Sequence, residues 1–194
     1  MTNKESTQEE RQRSRSSLNA IRDWVRANSD IIKAYVTFIG VTVVGFGVVL
    51  ADWTTGYLLD PLNHWTAECS GLLVNLFGGN AYVSGNSIGC SLGAVSIAEG
   101  CNAVYATIIF LAAIFAFPTS WKKKLIGAGL GSIALFAINL VRIITLLDLS
   151  GYNAKLFQEA HLHIWQFAII IIGGLLWLLW YDKIVRQPSH AKDL

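Results

Sequence analysis

Charge is scarce in this sequence. Charged residues are 14% of 194, against the roughly 25% usual for a soluble domain, while hydrophobic residues reach 53%. The apolar residues are not spread at helical or strand periods, as in a soluble core; they stand in long blocks. A single soluble domain, which the length alone would suit, is thereby excluded. Cysteine is scarce too. The three present include no Cys-x-x-Cys pair and no zinc spacing, so no metal and no cofactor is expected. A cleavable signal peptide is also missing. The first apolar run begins near Ile31 after a long polar lead, no small-residue cleavage site ends it, and it reads as a retained span. Finally, no lysine or arginine occurs anywhere in 52–100.

Four blocks read as helices crossing about 30 Å of hydrocarbon. Ile31 to Ala51 is interrupted only by Lys33, whose stem lets it snorkel. Ala103 to Phe117 is short and is stopped by Pro118. Leu125 to Leu147 contains Arg142, and Ile164 to Tyr181 is rich in Ile, Leu and Trp. With four spans, thirteen of the fifteen basic residues fall on one side: Lys4 to Lys33, Lys122 to Lys124, and Lys183, Arg186 and Lys192. The positive-inside rule then puts both termini and the lysine loop in the cytoplasm. An odd number of spans would break that pattern. Trp24, Trp53, Trp65, Trp121, Trp165 and Trp180 lie near span ends, where interfacial belts favour indole rings.

The expected fold is therefore an all-α integral membrane protein of about four transmembrane helices, with an outer-face amphipathic helix and a small hairpin. Residues 1–30 form a cytoplasmic tail, 31–182 the transmembrane domain and 183–194 a second cytoplasmic tail. Met1 to Ser17 reads as disordered. Leu18 to Ala27 reads either as an interfacial amphipathic helix or as more tail. The stretch 52–100 is too long for a plain connection. Trp65 to Phe77 has apolar residues spaced for a short helix on or dipping into the membrane, ended by Gly78 and Gly79. Tyr82 to Ile88, centred on Ser84, Gly85 and Asn86, reads as a hairpin, with Val95 to Ile97 a further extended piece. Together they make a cap over the outer ends of the spans.

Arg142 is the costliest residue, because a charge within a span costs several kcal/mol unless it is paired or hydrated. It is placed roughly 7 Å from the outer end of its span at 1.5 Å per residue, with Asn139 on the same helix face. The plainer reading is that it snorkels outward toward Asp148. Cys101 lies where the outer loop turns into the second span. There the positive end of the helix dipole favours negative charge on sulfur, and Gly100 permits close backbone approach. A lone cysteine is, equally, often only a small buried apolar group. His161 and His163 flank the outer end of the last span, and imidazole suits acid–base work near neutral pH. Cys101, Arg142 and His161 come from three helices, yet all fall on the outer face once basic residues fix the topology. Cys69 and Cys90 share the outer loop and would be able to pair in an oxidising compartment.

The pieces Gly-Cys-Asn at 100 to 102, Asn-x-x-Arg at 139 to 142 and Ala-His-x-x-x-Trp-Gln at 160 to 166 stand in this order beside hydrophobic spans. In them the chain resembles the exosortase/archaeosortase family of membrane cysteine transpeptidases, over roughly Asp52 to Asp182. The compact size and the Trp-Leu-Leu-Trp ending resemble exosortase H-type members. The resemblance implies Cys101 as nucleophile with Arg142 and His161 as catalytic partners, and Asn102, Asn139 and Trp165 as supporting residues. His161 is preferred by its spacing to Trp165, and His163 is the alternative base. Many members carry Gly after the Cys-Asn or Cys-Ser pair, where this chain has Ala103. Cys69-Ser70-Gly71 mimics the motif without a following span and reads as a decoy. The implied substrates are exported proteins with a C-terminal motif, a transmembrane helix and a basic tail. They would be cut through a thioester at the periplasmic face of a bacterial inner (plasma) membrane. The lipid bilayer is the other expected partner, and no nucleic acid is expected. Two rival readings are a non-enzymatic scaffold for other membrane helices and a thiol redox protein, the latter needing a close cysteine pair.

Overall fold

The computed structural model describes residues 19, 22–91, 93–98 and 101–186. The expectation of disorder for Met1 to Ser17, and the residues Leu18 and Ile21 of the interfacial helix, lie outside them. Residues 22–27 are helical and leave Trp24 and Val25 exposed. Helix α1 is Ser29–Val49. A short turn Asp52–Thr54 and a wide turn Thr55–Leu59 lead into α2, Asp60–Leu76. Strands β1 (Tyr82–Ser84), β2 (Ser87–Gly89) and β3 (Ala94–Ser96) form one antiparallel sheet in that order. Helix α3 is Val104–Ala116 and α4 is Trp121–Tyr152. Helix α5, Ala154–Glu159, runs through a wide turn Ala160–Ile164 into α6, Trp165–Trp180.

Among the described residues, three helices are long and apolar enough to cross a membrane: α1, α4 and the rod Ala154–Val185 built from α5 and α6. The fourth expected span falls short of that length. Helix α3 has 13 residues, about 20 Å at 1.5 Å each. Its length is cut at one end by Pro118, which cannot continue a helix, and at the other by a reversal at Ala103. It still joins the two ends of the bundle, because Cys101 to Ala103 precede it and the Phe115 carbonyl in its last turn accepts from Lys124 Nζ at 2.6 Å. By contrast, α4 runs beyond the expected Leu125–Leu147 at both ends, to 32 residues.

The bundle has a tight end and a capped end. At the tight end Trp180 Nε1 donates to the Lys123 carbonyl at 2.9 Å, and Lys123 Nζ donates to the Val185 carbonyl at 3.0 Å. Phe117 meets Trp177, Trp180 and Tyr181 edge-on with ring centroids 5.3–5.8 Å apart. Asp30 and Ile31 of α1 line a cavity with Phe117, Pro118 and Trp177. The basic residues of the α1 start, the lysine loop and the end of the last helix therefore share one end of the bundle. Helix α1 touches the rest mainly through α3. Phe46 and Tyr105 stack at 5.3 Å. Tyr35, Val36, Ile39, Val43 and Val44 stay exposed, as lipid-facing positions do.

At the capped end the sheet lies on α2 and α4. Val83, Ile88 and Val95 are in register across the three strands and turn one face inward. Gly85, at φ 58°, allows the two-residue turn between β1 and β2. Helix α2 begins five residues before the expected Trp65, because Pro61 is accommodated in a first helical turn. Its apolar residues Trp65, Leu72, Leu76 and Phe77 are exposed. Its small face, Asn63, Thr66, Ala67, Ser70 and Gly71, is buried. Trp65 stacks on Phe136 at 4.9 Å, so α2 runs down beside α4 rather than lying flat over the bundle.

Close approach inside the bundle depends on glycine at two points of α4. Gly127 and Gly131, one turn apart, receive the Trp180 indole and the Phe110 ring so closely that a Cβ would overlap them. Gly131→Leu is expected to lower the melting temperature in detergent, the overpacking costing about 1–3 kcal/mol or more. Gly129→Leu, with nothing within 4 Å of its Cβ position, is expected to leave it nearly unchanged.

Candidate active site

The site is built on the middle of α4, the most buried of the long helices. Asn139 and Arg142 lie one turn apart on its inner face, with 0% and 3% of their surface exposed. Arg142 is ten residues from the last residue of α4, about 15 Å at 1.5 Å each. That is twice the expected depth, because the helix continues past Leu147. Arg142 is buried rather than snorkelling outward, and Asp148 is exposed. Arg142 lies within electrostatic range of both Cys101 and His161. Neither amide atom of Asn139 has a hydrogen-bond partner among the described residues.

Cys101 belongs to a buried cluster with Ala67, Ile88, Ile97, Ile143 and Leu147 and is 9% exposed. Gly100, part of the Gly-Cys-Asn motif, lies outside the described residues. The Cys101 N–H donates to the Ala98 carbonyl at 3.0 Å. Asn102 follows, also buried. Its Oδ1 accepts from the Val104 N–H at 3.2 Å, occupying the first donor of α3, while its Nδ2 donates to Asn63 Oδ1 on α2 at 3.0 Å. One amide thus fixes the cysteine turn to the helix below it and to the cap. Ala103 then takes a left-handed conformation, φ 57° and ψ 6°, the one non-glycine residue with positive φ among those described. The chain reverses there from the loop into α3, and the cysteine is presented from a tight turn at a helix start.

His161 lies in the wide turn Ala160–Ile164, where one extra residue per turn rotates the side chains relative to a regular helix. Its Nε2 and Nδ1 are 3.8 and 3.9 Å from Cys101 Sγ. Its ring is parallel to Phe157, with centroids 5.9 Å apart. His163 points elsewhere: its Nδ1 is 3.2 Å from Glu159 Oε2, with both side chains mostly exposed. Trp165 opens α6 four residues after His161 and is half-buried.

Cys69, Cys90 and Cys101 are all free thiols, so the pairing of Cys69 with Cys90 is not formed. Cys69-Ser70-Gly71 is mid-helix. Ser70 Oγ donates to the Thr66 carbonyl at 2.8 Å, and a Cβ on Gly71 would sit 2.9 Å from Val83. The triplet is there for packing against the sheet. Sequence reasoning missed Asn63, Phe157 and the wide turn at His161. The signal for Asn63 was present as the small-residue face at 63, 66, 67, 70 and 71, opposite the apolar stripe that drew attention.

The grouping sets a thiol against an imidazole, with a guanidinium charge beside both, in an apolar enclosure. That set suits nucleophilic acyl transfer, which needs a sulfur nucleophile, a proton carrier in reach of it and a cation for the oxyanion. A family model described as transmembrane exosortase matches residues 29–181. No curated protein and no solved structure matches the chain.

Two stability tests follow from the cysteine turn. A left-handed L-residue costs about 1–2 kcal/mol, and glycine gives back roughly 0.5–1 kcal/mol of that in unfolded-state entropy. Ala103→Gly is therefore expected to be neutral or stabilising, and Ala103→Val clearly destabilising, in thermal unfolding. Asn102→Ala leaves Asn63 buried without its donor and is expected to cost about 1–3 kcal/mol. A double-mutant cycle with Asn63→Ala should give a coupling of about 0.5–3 kcal/mol.

Proposed function

The chain belongs to the transmembrane exosortase family. From that premise we propose that it is a membrane-embedded cysteine protease and transpeptidase, cutting C-terminal sorting signals of exported proteins through a thioester. The observation that carries this reading is the 3.8–3.9 Å approach of the Cys101 sulfur to the His161 ring, beside the buried charge of Arg142.

In the first half-reaction Cys101 Sγ attacks the scissile carbonyl carbon and its proton passes to His161. Negative charge gathers on the carbonyl oxygen, and Arg142 stabilises it in a water-poor site. The C–N bond then breaks, with His161 returning the proton to the leaving amine. The upstream part of the substrate stays on sulfur as a thioester. In the second half-reaction an amine or water attacks that carbonyl and His161 takes its proton. The C–S bond breaks and the thiol is restored. Substrates are proteins with a recognition motif, a transmembrane helix and a basic tail. The basic tail would orient the substrate as this chain is oriented, with both termini in the cytoplasm and the site on the periplasmic side of the inner membrane. The gathering of basic segments at the end opposite Cys101 supports that orientation. A scaffold that only binds other helices has no use for buried Arg142 and Asn139, whose burial costs stability.

Cys101→Ala is expected to abolish cleavage and thioester formation, read by gel mobility of a co-expressed sorting-signal reporter and by mass spectrometry of the enzyme. His161→Ala should lower the rate by about 10²–10⁴-fold, the usual worth of a positioned acid–base group. His163→Ala should stay near wild type. Processing that survives Cys101→Ala sinks the proposal.

A further inference from the structure

The two edges of the small sheet are treated differently by the protein. Just before β1 the backbone groups of Ala81 are occupied: its N–H donates to Asn75 Oδ1 at 2.7 Å and its carbonyl accepts from Asn75 Nδ2 at 3.0 Å. The start of that edge is thus capped by a side chain of α2. The β3 edge is not. Cys90 N–H donates to the Gly93 carbonyl and Ile97 N–H donates to the Asn86 carbonyl, so 93, 95 and 97 turn their backbone groups toward β2. By alternation Ala94 and Ser96 turn theirs away from the sheet. These four groups have no hydrogen-bond partner among the described residues, and both residues are exposed. Helix α4 does not cover them, because it lies under the face that carries Val95.

The open edge also has a direction. Gly93 abuts Ser150 and Gly151 near the end of α4, whereas Ile97 is packed in the same cluster as Cys101, Ile143 and Leu147. Strand β3 therefore descends from the rim of the bundle toward the nucleophile. An exposed strand edge is a template for another strand, and folded proteins normally block such edges. Extended peptides are commonly bound by adding to one, with main-chain hydrogen bonds supplying affinity.

We propose that the β3 edge is the substrate-binding strand: the extended segment just upstream of the scissile bond pairs with Ala94 and Ser96, running parallel to β3 down to Cys101. This rests on the peptidase reading above. Ser96 is five residues from Cys101, at most about 17 Å of extended chain. The residue paired with Ser96 is therefore at most about five positions upstream of the cleaved carbonyl. Recognition at this edge is through backbone, so it selects an unfolded, extended stretch free of proline at the pairing positions.

The probe is a reporter in which a soluble protein is joined to a randomised ten-residue segment, an apolar twenty-residue helix and a basic tail. The sequence used is one cleaved by the wild-type chain in the same membranes. Ala94→Pro and Ser96→Pro remove outward N–H groups that serve no pairing in the sheet. Each is expected to raise KM about tenfold, in line with loss of one main-chain hydrogen bond at the upper end of the usual range. The rate of Cys101 alkylation by iodoacetamide should stay within about twofold of wild type, as for side-chain changes unrelated to packing. Independently, binding of the reporter to the Cys101→Ala chain should slow hydrogen exchange at the Ala94 and Ser96 amides. Unchanged KM in both proline variants, or no exchange protection on binding, overturns the edge proposal while leaving the peptidase reading intact. Failure of the wild type to cleave any reporter removes both.

Discussion

A guanidinium and a carboxamide are buried halfway along an apolar helix, and the rest of the structure is arranged around that cost. A charge in this position costs several kcal/mol against an isolated helix in lipid unless protein surrounds and uses it. Helix α4 is accordingly the most buried of the long helices, while α1 and the rod Ala154–Val185 leave most of their surfaces to lipid. Helix α3 is short, which sets Cys101 level with Arg142 rather than at the rim. The wide turn Ala160–Ile164 brings His161 to the same level. Had α3 run the full thickness of about 30 Å, the thiol would stand about 10 Å further toward the end of α4.

The two ends of the bundle divide the work. The end that gathers the basic residues is closed by aromatic rings and by indole and ammonium donors to backbone carbonyls, an arrangement suited to holding helices in register. The other end is a cap packed on α2 and α4 through Ile88, Ile97, Ile143 and Leu147 and tied by a few polar contacts. Asn102 to Asn63 ties the cysteine turn to α2, and Asn75 ties α2 to β1. Hydrogen bonds of this kind contribute about 1 kcal/mol each. The cap is therefore positioned firmly enough to define the thiol's surroundings. A left-handed Ala103 next to the nucleophile fits the same division, since strained backbone persists where neighbouring contacts over-determine it.

Much of this was legible in the sequence, for reasons that also mark where legibility stops. Hydropathy blocks and basic residues report transfer to lipid, a local property, so α1, α4, α6 and the sharing of one end by the basic segments could be read directly. The thiol, guanidinium and imidazole stood out because their residue types are rare beside spans. The block Ala103 to Phe117 was read as short, and α3 differs from it by one residue at each end. The large apolar residues of α2 were read as a face toward the membrane and are exposed, while its small residues, which pack against protein, drew no attention. The wide turn at His161 carries no local signal, whereas Asn63 belonged to a legible small-residue face at 63, 66, 67, 70 and 71.

Depth also bears on the balance between transfer and hydrolysis in the proposed chemistry. Cys101 is 9% exposed beneath the sheet and lies level with Arg142, well below the end of α4. A folded domain cannot descend to it, whereas an extended chain at about 3.3 Å per residue reaches it with roughly five residues. Once such a segment is in place it fills the route by which bulk water would reach the thioester. The leaving amine departs with its own helix into the lipid, so the space it vacates opens laterally rather than to solvent. The acceptor that follows then arrives through a restricted, apolar opening, where a held amine has the advantage of effective concentration over water that must be desolvated to enter. The burial that makes Arg142 costly is, on this reading, what tilts the thioester toward transfer.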